Sequence, residues 1–195
     1  ARLKAMMNYD VLRAEQADLL EKGIRRGIGI AAFVEITNPS PAFYGVGGAR
    51  ISAQDGAIIK VTPSGEVQCL ISVTEIGQGT ETIIGQIVAE TLGVEHELVK
   101  VITGDTEITP HGGATWACRG AGIGGETALQ GAKRLKTNIL SVAAAILQEK
   151  PDRLDIRHGQ IVDADSGQQR IPLAEVARIV YFRSDTLPPD TNAQL

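Results

Sequence analysis

A chain of 195 residues, 43% apolar and 22% charged, has the composition of a globular protein with room for one full-sized domain. A net charge of -4 and only 4% aromatic residues leave no basic stripe interleaved with rings, so nucleic-acid binding is not expected. The core must be built from Ile, Val, Leu and Ala. No apolar run approaches the roughly 20 residues that span a bilayer, so no membrane span is expected. Two cysteines, Cys69 and Cys118, do not make a disulfide framework and point to a reducing, cytoplasmic setting.

The opening "ARLKAMMNYD" lacks both an initiator Met and the apolar core of a signal peptide. Residues 8–22 predict a short helix ended by Gly23. "GIGIAAFVEI" (27–36), bounded by glycine and proline signals, predicts a buried strand. "ARIS", "AIIKVTP" and "EVQCLISV" predict an antiparallel meander with tight turns, Val67, Cys69, Ile71 and Val73 sharing one face of its last strand. The period then changes. In "TETIIGQIVAETLG", Ile83, Ile84, Ile87, Val88 and Leu92 recur at helical spacing, and "LVKVIT" (98–103) predicts another strand.

A glycine-rich loop from Gly104 leads to a long helix whose stripe is Ala128, Ala132, Leu135, Ile139, Val142 and Ile146. "LDIRHGQIVDADSGQ" predicts a hairpin, and "PLAEVARIVYF" a helix with Pro172 in its first turn. The fold class expected is α+β, a layered mixed β-sheet with helices packed on it. The division expected is a helical lead-in (1–26), a main domain (27–187) and a linker (188–195) to a part of a longer protein.

"CRGAGIGGET" contains Gly120-x-Gly122-x-x-Gly125, the dinucleotide fingerprint. That pattern has meaning only where a strand runs into it. Here a loop of roughly 16 residues precedes it, long enough to be functional. No acidic residue follows at the distance where a ribose would be held. What stands out instead is a device used twice. "TEIGQG" and "ACRGAGIGG" each place side-chain-poor backbone at a helix start, where free N–H groups and the helix dipole attract an anion. Such turns could grip two ends of one phosphate-bearing ligand, or be tight turns and nothing more.

In order and spacing, "TEIGQGTET", "VITGDTEITPHGGATWACRG" and "GGETALQGAKRLK" resemble the molybdenum-binding large subunit of the xanthine dehydrogenase family, which includes aldehyde oxidases and aerobic carbon monoxide dehydrogenases. The resemblance runs from about Gly27 to Leu187. It implies part of a site for a molybdopterin cofactor, in bacteria usually the cytosine dinucleotide form. Gly77, Gln78 and Gly79 match the turn near the pterin and its phosphate. Thr115, Trp116, Ala117 and Cys118 match a second contact loop, and Gly120 a further small contact position. The enzyme implied hydroxylates aldehydes or N-heterocycles or oxidises carbon monoxide. Its partners are the remainder of the large subunit, iron–sulfur and FAD subunits, and a small-molecule substrate. The family often carries Ser where this chain has Cys118. No match to its glutamate base, to its upstream glycine-phenylalanine loop or to its substrate-selecting loop is present. The expectation is therefore a cofactor-binding piece with no catalytic residue and no protein ligand to metal, inactive by itself. A non-catalytic α+β module that binds a partner or another phosphorylated ligand is the alternative.

Single residues keep their ordinary readings beside these. Cys69 reads as core. Cys118 is either reactive or packed. Asp105 reads as a loop residue bonded to its own backbone. Arg119 could pair with a phosphate or a neighbouring carboxylate. Trp116 could cover the cofactor or anchor its loop. His96, His111 and His158 need no function.

Overall fold

The computed structural model describes residues 2–195. They fall into two units, one ending at Glu35 and one formed by Ile36–Leu195. In the first, α1 (Arg2–Met6) and α2 (Tyr9–Glu21) precede an extended tail. The predicted stop at Gly23 is a paired cap. Gly23, at φ +75°, donates its N–H to Leu20, and the Ile24 N–H reaches back to Leu19.

The second unit begins with one short turn, α3 (Pro41–Tyr44). Strands β1 (Ala57–Val61) and β2 (Val67–Ile71) follow, then α4 (Thr80–Leu92), β3 (Val99–Ile102), and the long α5 (Gly125–Leu147). The chain ends in β4 (Leu154–Arg157), β5 (Gln160–Asp163), β6 (Gln169–Pro172) and α6 (Leu173–Phe182). The first sheet is mixed. β1 pairs antiparallel with β2 (Ile59 opposite Cys69), and β3 returns through α4 to lie parallel to β2 (Val101 opposite Cys69). The second sheet, β4–β5–β6, is antiparallel throughout. Its first turn is His158–Gly159, both at positive φ, the two-residue form whose twist suits adjoining strands.

Periodicity explains the packing. The predicted β2 face, Val67, Cys69, Ile71 and Val73, is wholly buried. Against it lie Ile84, Val88 and Leu92 of α4 and the stripe from Ala128 to Val142 on α5. α5 touches α4, both sheets and α6, so it is the axis of the unit. Leu173 and Val176 of α6 close the same core. The result is the α+β layering expected.

Two predicted strands do not form. Residues 27–36 form no strand, with Phe33 80% and Val34 99% exposed. An apolar run is strand-forming only when another edge supplies hydrogen bonds, and among the described residues none does. "ARIS" is likewise irregular, so the meander has two strands rather than three. Pro172 closes β6 and caps α6 instead of entering its first turn. Leu173 takes that place because its side chain is needed in the core.

Candidate cofactor cleft

Residues Thr74–Gly79 carry the chain from β2 to α4. The direction change requires positive φ at Gly77 (+100°) and Gly79 (+86°), and a β-carbon on either would meet open space. The turn is closed by its own side chains. Gln78 Oε1 accepts from the Ile76 N–H (2.7 Å), while Nε2 donates to the Thr74 carbonyl (3.0 Å) and to the Thr80 hydroxyl.

Glu75 takes the place of a ligand anion. Its Oε1 accepts from the Gly77 and Gly79 N–H groups (2.6 and 3.1 Å) and its Oε2 from the Glu81 N–H (3.2 Å). Partial burial raises its pKa, but these backbone donors outweigh that and hold it below the usual carboxylate range. The N-terminus of α4 is therefore already neutralised from within.

The loop after β3 opens with Asp105, whose carboxylate caps the Glu107 N–H (2.9 Å). No strand runs into Gly120: β3 ends at Ile102, and Gly120–Gly124 form a single wide, π-type turn continuous with α5. The dinucleotide-fold geometry is absent. The last stretch of the loop holds Ala114, Ala117 and Cys118 at positive φ, strain that non-glycine residues sustain only when neighbours impose it.

Those neighbours are in view. Thr115 Oγ1 bonds both backbone groups of Thr74, and the Ala117 carbonyl accepts from the Asn38 N–H (2.9 Å). Trp116 Nε1 donates to the Gly113 carbonyl (3.1 Å), and its ring sits 5.6 Å from Phe43 and 5.9 Å from Tyr44. Trp116 is thus a loop anchor. Arg119 is fully buried and paired with Asp55 (2.6 Å). Of its two possible partners, the carboxylate is the one it has.

Between the two turns lies a cleft of about 230 Å³, lined by Gln78, Gly79, Thr80, Ile83, Thr115, Cys118, Gly120 and Ala121. Five sequence-predicted residues meet there: Gln78, Gly79, Thr115, Cys118 and Gly120. Gly77, Trp116 and Ala117 support the turns from outside this lining. Thr80, Ile83 and Ala121 were not foreseen. Ile83, at helical spacing with the buried Ile84 and Val88, is 41% exposed beside the cleft.

The lining contains no carboxylate, imidazole or amine, so it offers binding and orientation without a general base. Its one ionisable group is the exposed Cys118 thiol. Cys69, by contrast, is in the core, where burial pushes its pKa up to about 12. His111 is exposed, and His158 is also exposed and pairs with Glu95 (2.6 Å). Among the described residues no three His, Cys, Asp or Glu side chains are grouped to hold a metal ion. No helix among them is long and apolar enough to cross a membrane.

Residues 2–193 match the family model of the molybdopterin cofactor-binding domain. The xanthine dehydrogenase molybdenum-binding subunit of Escherichia coli O157:H7 is 37% identical over 83% of this chain and 21% of its own length. The nicotine 6-hydroxylase large subunit of Paenarthrobacter nicotinovorans is 27% identical over 95% and 23%. Among solved structures, quinoline 2-oxidoreductase from Pseudomonas putida 86 superposes with a TM-score of 0.73 at 30% identity, covering 99% of this chain and 24% of that one. Reconstituted CO dehydrogenase from Oligotropha carboxidovorans superposes at 0.69 and 26% identity, covering 100% and 24%. The chain thus spans about a quarter or less of each of these proteins.

Proposed function

Because the chain belongs to the molybdopterin cofactor-binding domain family, we propose that the cleft between the Gln78 turn and the Thr115–Gly120 loop is its share of the cofactor cradle. The observation that carries this is convergence. Two segments 41 residues apart, the two the sequence marks as ligand turns, are joined at Thr74 and Thr115 and open on one cavity.

The residues fit such a group. A β-carbon on Gly120 would come no nearer than 3.6 Å to any neighbour, so internal packing does not require glycine there. A side chain would instead take space from the cleft. The wide turn at Gly120–Gly124 begins with amides that lack intrahelical acceptors. With Glu75 already on the amides of α4, the amides at the Gly120 end would hold an anionic part of the cofactor, and Gln78 and Thr115, whose polar atoms bond Thr74, Ile76 and Thr80, would fix the turns on either side of it. When bound, the cofactor supplies the redox chemistry, and this chain supplies contacts and orientation.

The finer reading is a cytosine dinucleotide cofactor in the large subunit of a cytoplasmic molybdenum hydroxylase. That enzyme would act on an aldehyde, an N-heterocycle or carbon monoxide, and pass electrons to iron–sulfur and FAD subunits. The chain alone, lacking a base in the cleft, is inactive. The test is Gln78→Ala and Gly120→Val in the subunit that contains this chain, with pterin and molybdenum content measured beside the far-UV spectrum. Lower content in a folded subunit supports the assignment; full content in both variants removes it.

A further inference from the structure

We propose that Asp55 is the positioning residue of the cofactor loop, acting through Arg119; this rests on the cleft being the cradle. Asp55 lies before β1, 64 residues from Arg119, and both side chains are 0% exposed. One carboxylate serves three parts of the unit. Oδ2 accepts from Arg119 Nη2 (2.6 Å), and Oδ1 accepts from the Ser72 hydroxyl at the end of β2 (2.8 Å) and from the Gly113 N–H in the loop (3.0 Å). Arg119 Nη1 continues the chain of bonds to the Ser52 carbonyl (2.9 Å), and its guanidinium carbon lies 5.5 Å from the Tyr44 ring centre and 5.8 Å from that of Trp116. A β-carbon on Gly113 would run into Arg119, and one on Gly112 into Ser72 and Asp55. The loop thus descends onto a buried charge pair at Gly112–Gly113 and rises from it at Arg119. The stretch between, with the positive-φ Ala117 and Cys118, is held at both ends by this pair and along its length by Thr115 on Thr74 and by the Asn38 N–H on the Ala117 carbonyl.

A buried ion pair is a poor source of stability, because apolar residues of similar volume often stabilise as well or better. What it does supply is direction, since a charge in low dielectric tolerates few alternative partners. The orienting role of Asp55 is therefore read from the loop itself and not from stability alone. Asp55→Asn removes the charge at constant size. Asp55→Leu with Arg119→Met replaces the charge pair by apolar side chains and leaves no buried charge unpaired.

The readout is Trp116, the only Trp of this chain, by acrylamide quenching, together with thermal melting. In the subunit containing the chain, retention of pterin through gel filtration is measured. The double variant is expected to fold but to melt somewhat lower, because the Ser72 hydroxyl and the Ser52 carbonyl lose their partners. Trp116 becomes more quenchable in both variants, and pterin retention falls roughly 10- to 100-fold, the range found where outer residues orient the direct contacts of a bound metal. Unchanged quenching and retention in the double variant would overturn the proposal. Should those variants fail to fold, Arg119→Lys, which keeps the charge but cannot bond both Asp55 and Ser52 as the guanidinium does, is read in the same way: greater Trp116 quenching supports the proposal, and unchanged quenching overturns it. If the unsubstituted subunit holds no pterin, the reading of the cleft fails, while the Trp116 measurement still judges Asp55.

Discussion

Thr115 holds Thr74 by both of its backbone groups. Its Oγ1 accepts from the Thr74 N–H at 2.9 Å and donates to the Thr74 carbonyl at 2.6 Å. One hydroxyl thereby stands in for a missing strand neighbour just beyond the end of β2, and fixes the distance between the two turns of the cleft. Thr115→Val keeps the shape and leaves both backbone groups half-buried without a partner. The expected cost is about 1–3 kcal/mol. Urea unfolding should show it, and Thr115→Ser should recover most of it because the hydroxyl is what acts. Equal stability of the Val and Ser variants would mean that water replaces the hydroxyl.

What the sequence disclosed followed from periodicity and from glycine. Cys69, Ile84 and Ile139 sit where a two-residue or a 3.6-residue repeat places them, and the sequence marked the two glycine turns, of which Gly79 and Gly120 line one cleft, without deciding whether they grip a ligand. Asp55 stayed hidden because "AQDG" looks like any polar turn, and nothing local in it points to a partner 64 residues away. Glu75 carries no signal of its own in the sequence. Its capping depends on the φ of Gly77 and Gly79, a backbone property no composition records. The run 27–36 misled because a strand is made by its neighbour as much as by its own residues.

Two glycines separate packing from ligand space. Gly93 ends α4 at φ +83°, and a β-carbon there would collide with the Ile156 carbonyl. Gly93→Ala should be destabilising by several kcal/mol, as for strained or overpacked buried positions. Gly120→Ala meets nothing closer than 3.6 Å and should change stability by no more than about 0.5 kcal/mol, while lowering pterin content if the cleft holds the cofactor. Thermal unfolding of the two variants side by side, with pterin analysis of the second, tests the distinction. A large stability loss from Gly120→Ala would show that the glycine serves the fold.

The cysteines should react as their surroundings dictate. Cys69 is in the core with its thiol pKa pushed up to about 12, and a neutral, inaccessible thiol is inert. Cys118 is exposed on the cleft. Native chain treated with a thiol reagent should lose Cys118 alone, and denatured chain both. Peptide mapping assigns the label. In the subunit that contains this chain, the cofactor-loaded form should label more slowly at Cys118 than the cofactor-free form, and equal rates would count against Cys118 lining the cradle.

Acid should act through the second sheet. Asp163 Oδ1 accepts from the Ser166 N–H and from its hydroxyl, both at 2.8 Å, and Oδ2 accepts from Arg153 at 3.1 Å. In that order of importance these hold the carboxyl well below the usual carboxylate range. Asp155 is also lowered: partial burial raises its pKa, but the bonds from Lys136 and from the Ile156 N–H outweigh it. A carboxyl whose folded pKa lies below its unfolded value near 3.9 gives its full stabilisation above that value and loses it as pH falls toward the folded pKa. Stability should therefore be insensitive to Asp163 titration between neutrality and about pH 5, and should decline below about pH 4. Asp163→Asn keeps an oxygen for the Ser166 donors but does not titrate. It should lower stability at pH 7 and flatten the acid decline, leaving the part owed to the other lowered carboxyls, Asp155, Glu75, Glu175 and Asp185. Urea midpoints from pH 7 down to pH 3 give both slopes. An acid decline as steep in Asp163→Asn as in the unsubstituted chain would assign the sensitivity to other carboxylates.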